Sequence, residues 1–257
     1  MDKTYIGIDI GSTASKVCIL QNDKEPDYEV LPTGWNSKIT ANIIRDNIEK
    51  KLGNISDCAI AATGYGRISV EYADYVITEI TCHGRGGYEM IGRDCTIVDI
   101  GGQDTKYINV VNGRPVDFLM NDKCAAGTGK FIEVMANRLA LTIEELFDLA
   151  KTGKPIPISS LCTVFAESEV INYMGEGRPK EDLAAGVIDS VAQKVMTLIQ
   201  RKELQDTILI TGGFSGNEYF ADLLANKLGK NVITLENGRF AGAYGAALLA
   251  QEKSAGK

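Results

Sequence analysis

Short runs of alternating apolar and polar residues recur in this chain at two places that lie ninety positions apart. Each run is an apolar, β-rich segment, then an Asp-Ile-Gly turn with small or polar residues, then a second β-like segment. A shift of ninety positions places Asp9 on Asp99 and Lys16 on Lys106. Each copy predicts a hairpin whose turn is tight enough to need glycine. A third strand is predicted after each hairpin, over Tyr28–Pro32 and Arg114–Met120.

Apolar positions at helical spacing follow each hairpin. The predicted helices cover 39–52, 79–91, 129–139, a capping-box segment from Thr142, a segment from about Val164, and 182–201, 217–228 and 242–250. Further strands are predicted over 58–62, 207–211 and 231–234. This order indicates a duplicated α/β architecture with a boundary near 91–95. We expect a first lobe over 1–93 and a second over 94–257; the pattern leaves open whether the last helix, about 241–253, returns to the first lobe.

Composition narrows the class of protein. The 257 residues include 27 Lys and Arg against 34 Asp and Glu, a net charge of −7, which argues against binding nucleic acid by bulk positive charge. No apolar run approaches the roughly 18 residues of a membrane span, and the first ten residues lack a signal-peptide pattern. Six cysteines are too few for a disulfide scaffold. We expect a cytoplasmic protein with no membrane or nucleic-acid partner.

The duplicated turns suit phosphate chemistry. Glycine-bearing turns can aim backbone N–H groups at phosphate oxygens without side-chain obstruction. Asp9 and Asp99 would repel phosphate unless a cation lay between, and two such carboxylates could orient the water shell of Mg²⁺. Ordinary glycine turns capped by aspartate are the alternative, which the duplication disfavours. The turn residues considered for phosphate binding are Gly11, Ser12, Thr13, Ala14, Ser15, Gly101, Gly102 and Gln103.

Three motifs in order give a first family resemblance. DIGSTASK at 9–16 and DIGGQDTK at 99–106 resemble the two phosphate loops of the ATPase superfamily of actin, Hsp70 chaperones and sugar kinases, and TGGFSGN at 211–217 resembles its adenosine loop. The resemblance implies a duplicated actin/Hsp70-like, RNase H-like α/β fold with ATP or ADP in a cleft between two lobes.

The same resemblance implies roles for individual residues. Asp9 and Asp99 would face Mg²⁺, and Lys16 would face the terminal phosphates. Either Gln103 or Asp104 would orient the attacking water, with a structural turn role as the alternative for Asp104. Gly212 and Gly213 would let the backbone approach the base and ribose.

Four of the six cysteines favour a structural reading. Cys18, Cys58 and Cys95 fall in or at the start of predicted buried strands, where a thiol is a small hydrophobe. Cys82 stands beside His83, which is the only histidine. This pair could be a metal-ligand pair or a nucleophile with its base, but adjacent residues rarely chelate one ion, so packing is favoured here as well.

Cys124 and Cys162 each precede a predicted helix, where N–H groups and the helix dipole favour a thiolate. Small residues around Cys124 leave room for a bulky anionic group, and an iron–sulfur cluster fits. A 4Fe–4S cluster commonly takes four thiolates, and a symmetric dimer would supply two from each chain. The alternative is a pair of buried thiols near helix starts.

The segments NDKCAAGTGKF and CTVFAESEVI, together with ATGYGR at 62–67, sharpen the resemblance. With the phosphate loops they closely resemble the activators of 2-hydroxyacyl-CoA dehydratases, whose family includes the ATPase subunits of benzoyl-CoA reductases. The resemblance implies one 4Fe–4S cluster at a homodimer interface, held by Cys124 and Cys162 within a segment spanning 121–175. It also implies ATP-driven transfer of one electron from ferredoxin or flavodoxin to a dehydratase or a related low-potential iron–sulfur enzyme.

Two other classes of protein are alternatives to an activator. A small-molecule kinase of the same superfamily would use a base, for which Asp104 is the candidate, but it would not need Cys124 and Cys162. A regulatory or chaperone-like ATPase would need a client-binding domain, for which the sequence offers no candidate.

Overall fold

The computed structural model describes residues 3–22, 24–159 and 162–256, and it is a mixed α/β protein, as predicted. The strands are β1 Thr4–Ile10, β2 Ala14–Gln21, β3 Asp27–Pro32, β4 Ala59–Thr63, β5 Tyr75–Val76, β6 Cys95–Ile100, β7 Thr105–Val111, β8 Arg114–Asn121, β9 Thr207–Gly212 and β10 Asn231–Thr234. The helices are α1 Ser37–Leu52, α2 Glu79–Ile91, α3 Gly129–Arg138, α4 Ile143–Ala150, α5 Thr163–Gly175, α6 Lys180–Ile199, α7 Glu218–Leu228 and α8 Ala241–Ala255.

The strands form two five-stranded sheets with the same connectivity. The first has the order β3-β2-β1-β4-β5 and the second, read from its other edge, β8-β7-β6-β9-β10. In the first sheet, β1 pairs antiparallel with β2 and parallel with β4. The repeat in the sequence therefore corresponds to β1–β3 and β6–β8, and the duplication extends through the following strands.

The chain divides into two compact units. The first contains the residues up to Ile97, residues 108–118 and the residues from Glu236 onward. The second contains residues 98–107 and 119–235. The division thus falls within β6, β7 and β8.

Alternating residues of β1 divide the core of the first unit into two layers. Ile6, Ile8 and Ile10 pack in one cluster with the buried face of α1. Tyr5, on the opposite face of the strand, packs with residues of α2 and α8. This period of two is the expected pattern for a strand covered on both faces.

Glycines let α8 approach its neighbours within the first unit. A Cβ atom at Gly245 would collide with the Cys82 carbonyl of α2, and one at Gly86 would collide with the Ala241 carbonyl of α8. A Cβ at Gly7 would likewise strike the Ala243 carbonyl. Backbone therefore packs against backbone where α8 covers β1 and α2.

The second unit is built around a helical block. Ile100 of β6 and Ile210 of β9 belong to one core cluster with residues of α3, α4, α6 and α7. Helix α4 begins with the predicted capping box, in which Thr142 and Glu145 each bond the other's backbone N–H. No described helix is long and apolar enough to span a membrane.

Three local details differ from the prediction. Cys58 lies before β4 rather than inside it and is only half-buried, because its N–H closes a turn on the Ile55 carbonyl and the strand begins at Ala59. Strand β5 was not predicted, since two residues are too short to show a period. Helix α5 begins at Thr163, one residue before the predicted start.

The glycine contact of α8 gives a test of the fold. Gly245→Ala should lower the free energy of unfolding by about 1–3 kcal/mol or more, because the new methyl has no space against the α2 backbone. Gly175→Ala is the matched control, since Gly175 ends α5 and has no atom within 4 Å of a Cβ. Denaturant unfolding of both variants measures the difference, and an equal effect at the two positions would contradict the packing.

Candidate functional site

Asp9, next to last in β1, is a buried carboxylate surrounded by backbone. A Cβ at Gly64 would collide with its Oδ1, and one at Gly242 would lie 3.0 Å from its Oδ2. Lys16 lies directly opposite on β2, with its Nζ 3.5 Å from Asp9 Oδ2. The carboxylate is therefore confined on two sides by glycines and faces one lysine.

The turn after Asp9 is held from behind by Thr33, a residue outside the predicted phosphate turns. The buried Thr33 hydroxyl donates to the Gly11 carbonyl at 2.8 Å and also lies 2.8 Å from the Ser15 hydroxyl. The Thr33 N–H donates to the Thr13 carbonyl at 3.0 Å. Ser12 and Thr13 are exposed, whereas Ser15 is fully buried. The Ser15 side chain thus fixes the turn from inside the protein.

Asp99, next to last in β6, is the equivalent buried carboxylate of the second unit. Its Oδ1 accepts a 2.8 Å hydrogen bond from the Thr211 hydroxyl, and its Oδ2 lies 3.2 Å from Lys106 Nζ. Lys106 is itself buried and also lies 2.8 Å from Asp104 Oδ2. One lysine therefore balances two carboxylates, and the role of Lys106 was missed although the repeat had aligned it with Lys16.

Backbone hydrogen bonds join the second turn to helix α3. The Gly101 N–H bonds the Asp104 carbonyl, and the N–H groups of Gly129 and Lys130 bond the carbonyls of Gly101 and Gly102, each at 2.9 Å. Gly101 and Gly102 are partly exposed, and Gln103 is exposed. The start of α3 is thus attached directly to the candidate phosphate turn.

The candidate adenosine turn lies against the same strand end. Gly212 has φ +78°, and a Cβ there would lie 2.9 Å from Asp99 Oδ1 and would collide with the Ile100 carbonyl. The Gly213 N–H bonds that carbonyl at 2.8 Å. Gly64 of the first unit repeats this arrangement, with φ +85° and the same conflict with Asp9 and the Ile10 carbonyl.

Cys124 and Cys162 both belong to the second unit and are both exposed. Cys162 is the N-cap residue of α5. Cys124 lies between β8 and α3, beside a cavity of about 400 Å³ that Asn121 and Lys194 also line. The alternative of two buried thiols is wrong. Among the described residues, no group of three or more His, Cys, Asp or Glu side chains could hold a metal ion.

Three of the other cysteines are enclosed in the core, unlike Cys124 and Cys162. Cys18, Cys82 and Cys95 are buried, and burial raises the pKa of each thiol, to about 12 for Cys82 and Cys95. For Cys82, the charges of Asp9 and Glu79 raise the pKa further, whereas the nearby Thr63 hydroxyl lowers it. Cys82 is thus a protonated packing residue at neutral pH, which favours the packing interpretation of the Cys82–His83 pair.

A duplicated α/β arrangement with a buried carboxylate at one glycine turn in each half is the fold of the actin, Hsp70 and sugar-kinase type. The model of the BadF/BadG/BcrA/BcrD ATPase family matches residues 6–250. The chain belongs to that family.

Two similar proteins are both named as activators of 2-hydroxyacyl-CoA dehydratases. The (R)-2-hydroxyglutaryl-CoA dehydratase activating ATPase of Acidaminococcus fermentans is 42% identical over 254 residues, covering 97% of this chain and 98% of that protein. The 2-hydroxyisocaproyl-CoA dehydratase activator of Clostridioides difficile is 38% identical, covering 97% and 95%. The fold, the ATPase class and the resemblance to dehydratase activators predicted from the sequence are thereby confirmed.

Solved structures agree with this assignment. Component A of the Acidaminococcus fermentans dehydratase matches with a TM-score of 0.92 at 41% identity, covering 98% of this chain and 99% of that one. The Clostridium difficile activator with bound ADPNP matches with a TM-score of 0.90 at 37% identity, covering 99% and 98%.

The exposure of the thiols can be tested by alkylation of the metal-free protein. At pH 8, we expect Cys124 and Cys162 to react rapidly with iodoacetamide. Cys18, Cys82 and Cys95 should react only after unfolding, because they are buried and their raised pKa values leave almost no thiolate. Peptide mapping of the labelled protein measures this, and labelling of Cys82 as fast as Cys162 would contradict the structure.

Proposed function

We propose that this ATPase is the activator of a 2-hydroxyacyl-CoA dehydratase or a related low-potential iron–sulfur enzyme, to which it delivers one electron at the expense of ATP. The observation that carries the proposal is the combination of Asp9 and Asp99 at duplicated turns with two exposed thiols, Cys124 and Cys162, in one unit. The names of the relatives support the acceptor class.

Asp9 and Asp99 would orient the water shell of Mg²⁺. Buried carboxylates held by fixed neighbours are suited to this task, because they need no reorganisation when the metal–phosphate group arrives. Lys16 would contact the terminal phosphates from its place beside Asp9. Backbone N–H groups of the Gly11–Ser15 and Gly101–Gln103 segments would contact phosphate oxygens, and Gly212 and Gly213 would accommodate the nucleoside.

Gln103 is the better candidate for orienting the attacking water. Its side chain is exposed, whereas the Asp104 carboxylate is paired with the buried Lys106 at 2.8 Å. The same ion pair weakens the kinase alternative, because a carboxylate held by a lysine is a poor acceptor for a substrate proton. Relatives named as dehydratase activators also favour electron delivery over a kinase.

Cys124 and Cys162 would be half of the ligand set of a 4Fe–4S cluster, which supplies a one-electron carrier when bound. The fit rests on donor chemistry: these two thiols are exposed, and thiolates are the usual ligands of such clusters. Two donors per chain leave two to be supplied by a second copy, and a twofold axis would bring the same pair again.

Helix α5 supports such a homodimer. The helix begins at Thr163, and the next two residues, Val164 and Phe165, are 65% and 68% exposed. Apolar side chains of this exposure beside a metal-binding thiol are suited to burial between chains. Exposed ligand thiols also need a reducing, oxygen-poor environment, so we infer a cytoplasmic, anaerobic setting with ferredoxin or flavodoxin as donor.

Hydrogen bonds inside the second unit would connect the nucleotide-binding turn with Cys124. The Gly101–Gly102 carbonyls bond the start of α3, and the buried Thr105 hydroxyl donates to the Gly127 carbonyl at 2.6 Å. Cys124 lies three residues before Gly127. ATP and ADP can bias electron delivery only if they stabilise different arrangements, and these bonds would carry a change at the turn to Cys124.

The nucleotide assignment is tested by Asp9→Asn and Asp99→Asn. Each should lower ATP turnover at least about 100-fold, because electrostatic positioning is the main term in phosphoryl transfer. Phosphate release measures turnover, and Asp222→Asn on α7 is a control with no proposed role. Full turnover in both carboxylate variants would remove the assignment.

The ligand assignment is tested by Cys124→Ala and Cys162→Ala. By symmetry either change removes two of four thiolates, so iron should fall to near zero in protein purified without oxygen, and the dimer should weaken. Cys95→Ala is the control, with full iron and a loss of about 1–3 kcal/mol in stability. Iron analysis and dimer fraction decide; iron loss only in the control would mean that other cysteines are the ligands.

A further inference from the structure

We propose that Thr211 is a positioning residue that fixes the orientation of Asp99 and thereby links the nucleoside-binding turn to the metal-facing carboxylate. The inference rests on the proposed role of Asp99 in nucleotide hydrolysis. It concerns a residue outside the phosphate turns and 112 positions away from Asp99 in the chain.

The two oxygens of Asp99 have different partners. The Thr211 hydroxyl donates to Oδ1 at 2.8 Å, and Lys106 Nζ lies 3.2 Å from Oδ2. Thr211, Asp99 and Lys106 are all buried, with no exposed surface at all on Thr211. A hydroxyl and an ammonium on opposite oxygens determine which way the carboxylate plane faces, and hydrogen bonds to a charged acceptor are strong in such surroundings.

The residues after Thr211 strengthen this connection. Gly212 contacts Asp99 and the Ile100 carbonyl so closely that no side chain would fit, and the Gly213 N–H bonds the Ile100 carbonyl at 2.8 Å. Three consecutive residues of the nucleoside turn therefore hold two consecutive residues of β6. If a bound nucleoside displaces that turn, these contacts would also displace Asp99.

The first unit provides an internal comparison. Thr63 pairs in register with Asp9, and Gly64 makes the same close approach as Gly212. The Thr63 hydroxyl, however, lies beside the Cys82 thiol, and Asp9 Oδ2 lies 3.5 Å from Lys16 Nζ. The threonine–carboxylate hydrogen bond is therefore a feature of the second turn, where the nucleoside motif occurs.

Thr211→Val tests the inference, because valine keeps the shape and removes the hydroxyl. We expect the kcat for ATP hydrolysis to fall about 10–100-fold, as for other partners that orient a ligand, with a KM for Mg-ATP raised by no more than about tenfold. Thr211→Ser should restore kcat to within about threefold. Thr207→Val, another buried threonine of β9, is the matched control and should hydrolyse ATP normally.

Calorimetry of ADP binding gives a readout that does not depend on turnover. In Thr211→Val the affinity for metal-free ADP should be unchanged, whereas the gain in affinity on adding Mg²⁺ should fall about tenfold. A merely structural role would instead weaken ADP binding equally with and without Mg²⁺.

The outcomes separate this inference from the proposed function. If Asp99→Asn abolishes hydrolysis while Thr211→Val keeps wild-type kcat and Mg²⁺ response, Thr211 has no positioning role and the proposed function survives. If Asp99→Asn itself hydrolyses ATP normally, the proposed function of Asp99 fails first. Should Thr211→Val not fold, Thr211→Ala compared with Thr211→Ser decides in the same way.

Discussion

The burial of one carboxylate near the end of a central strand in each unit is the constraint on which the rest of the site depends. A buried charge is costly unless it is paired and hydrogen-bonded, and the surroundings of Asp9 and Asp99 meet this need with Lys16 and Lys106. The backbone must also pass close to each carboxylate, which requires glycine at a positive φ, as at Gly212. The turns, the lysines and the glycines are thus consequences of one electrostatic requirement, which the duplicated fold meets twice.

Local signals predicted much of this arrangement. The hairpin repeat identified Asp9 and Asp99, because a strand, a glycine turn and a second strand are contiguous in sequence. Thr211 was missed because its contact with Asp99 depends on tertiary structure, and because the helical block α3–α6 separates β8 from β9 in the second copy. Because of this insertion, a comparison of the two halves at a constant shift of ninety positions does not align Thr63-Gly64 with Thr211-Gly212.

Cysteine chemistry follows from burial in the same way. An apolar strand pattern was enough to assign Cys18 and Cys95 to the core, whereas Cys58 lies in a turn that periodicity does not resolve. Cys124 and Cys162 differ from the buried cysteines in exposure, which a sequence does not give, and both lie in the unit that carries Asp99. The second unit therefore combines a candidate nucleotide turn, a helix attached to that turn and both thiols proposed as cluster ligands.

The central proposal is that each chain binds one nucleotide and supplies half of the ligands of a shared cluster. The most direct measurement is the ratio of bound ADP, iron and chains in one sample of protein purified without oxygen, with its mass in solution. We expect a dimer with about four irons and about two nucleotides. About four irons per chain, or two nucleotides per chain, would contradict the account.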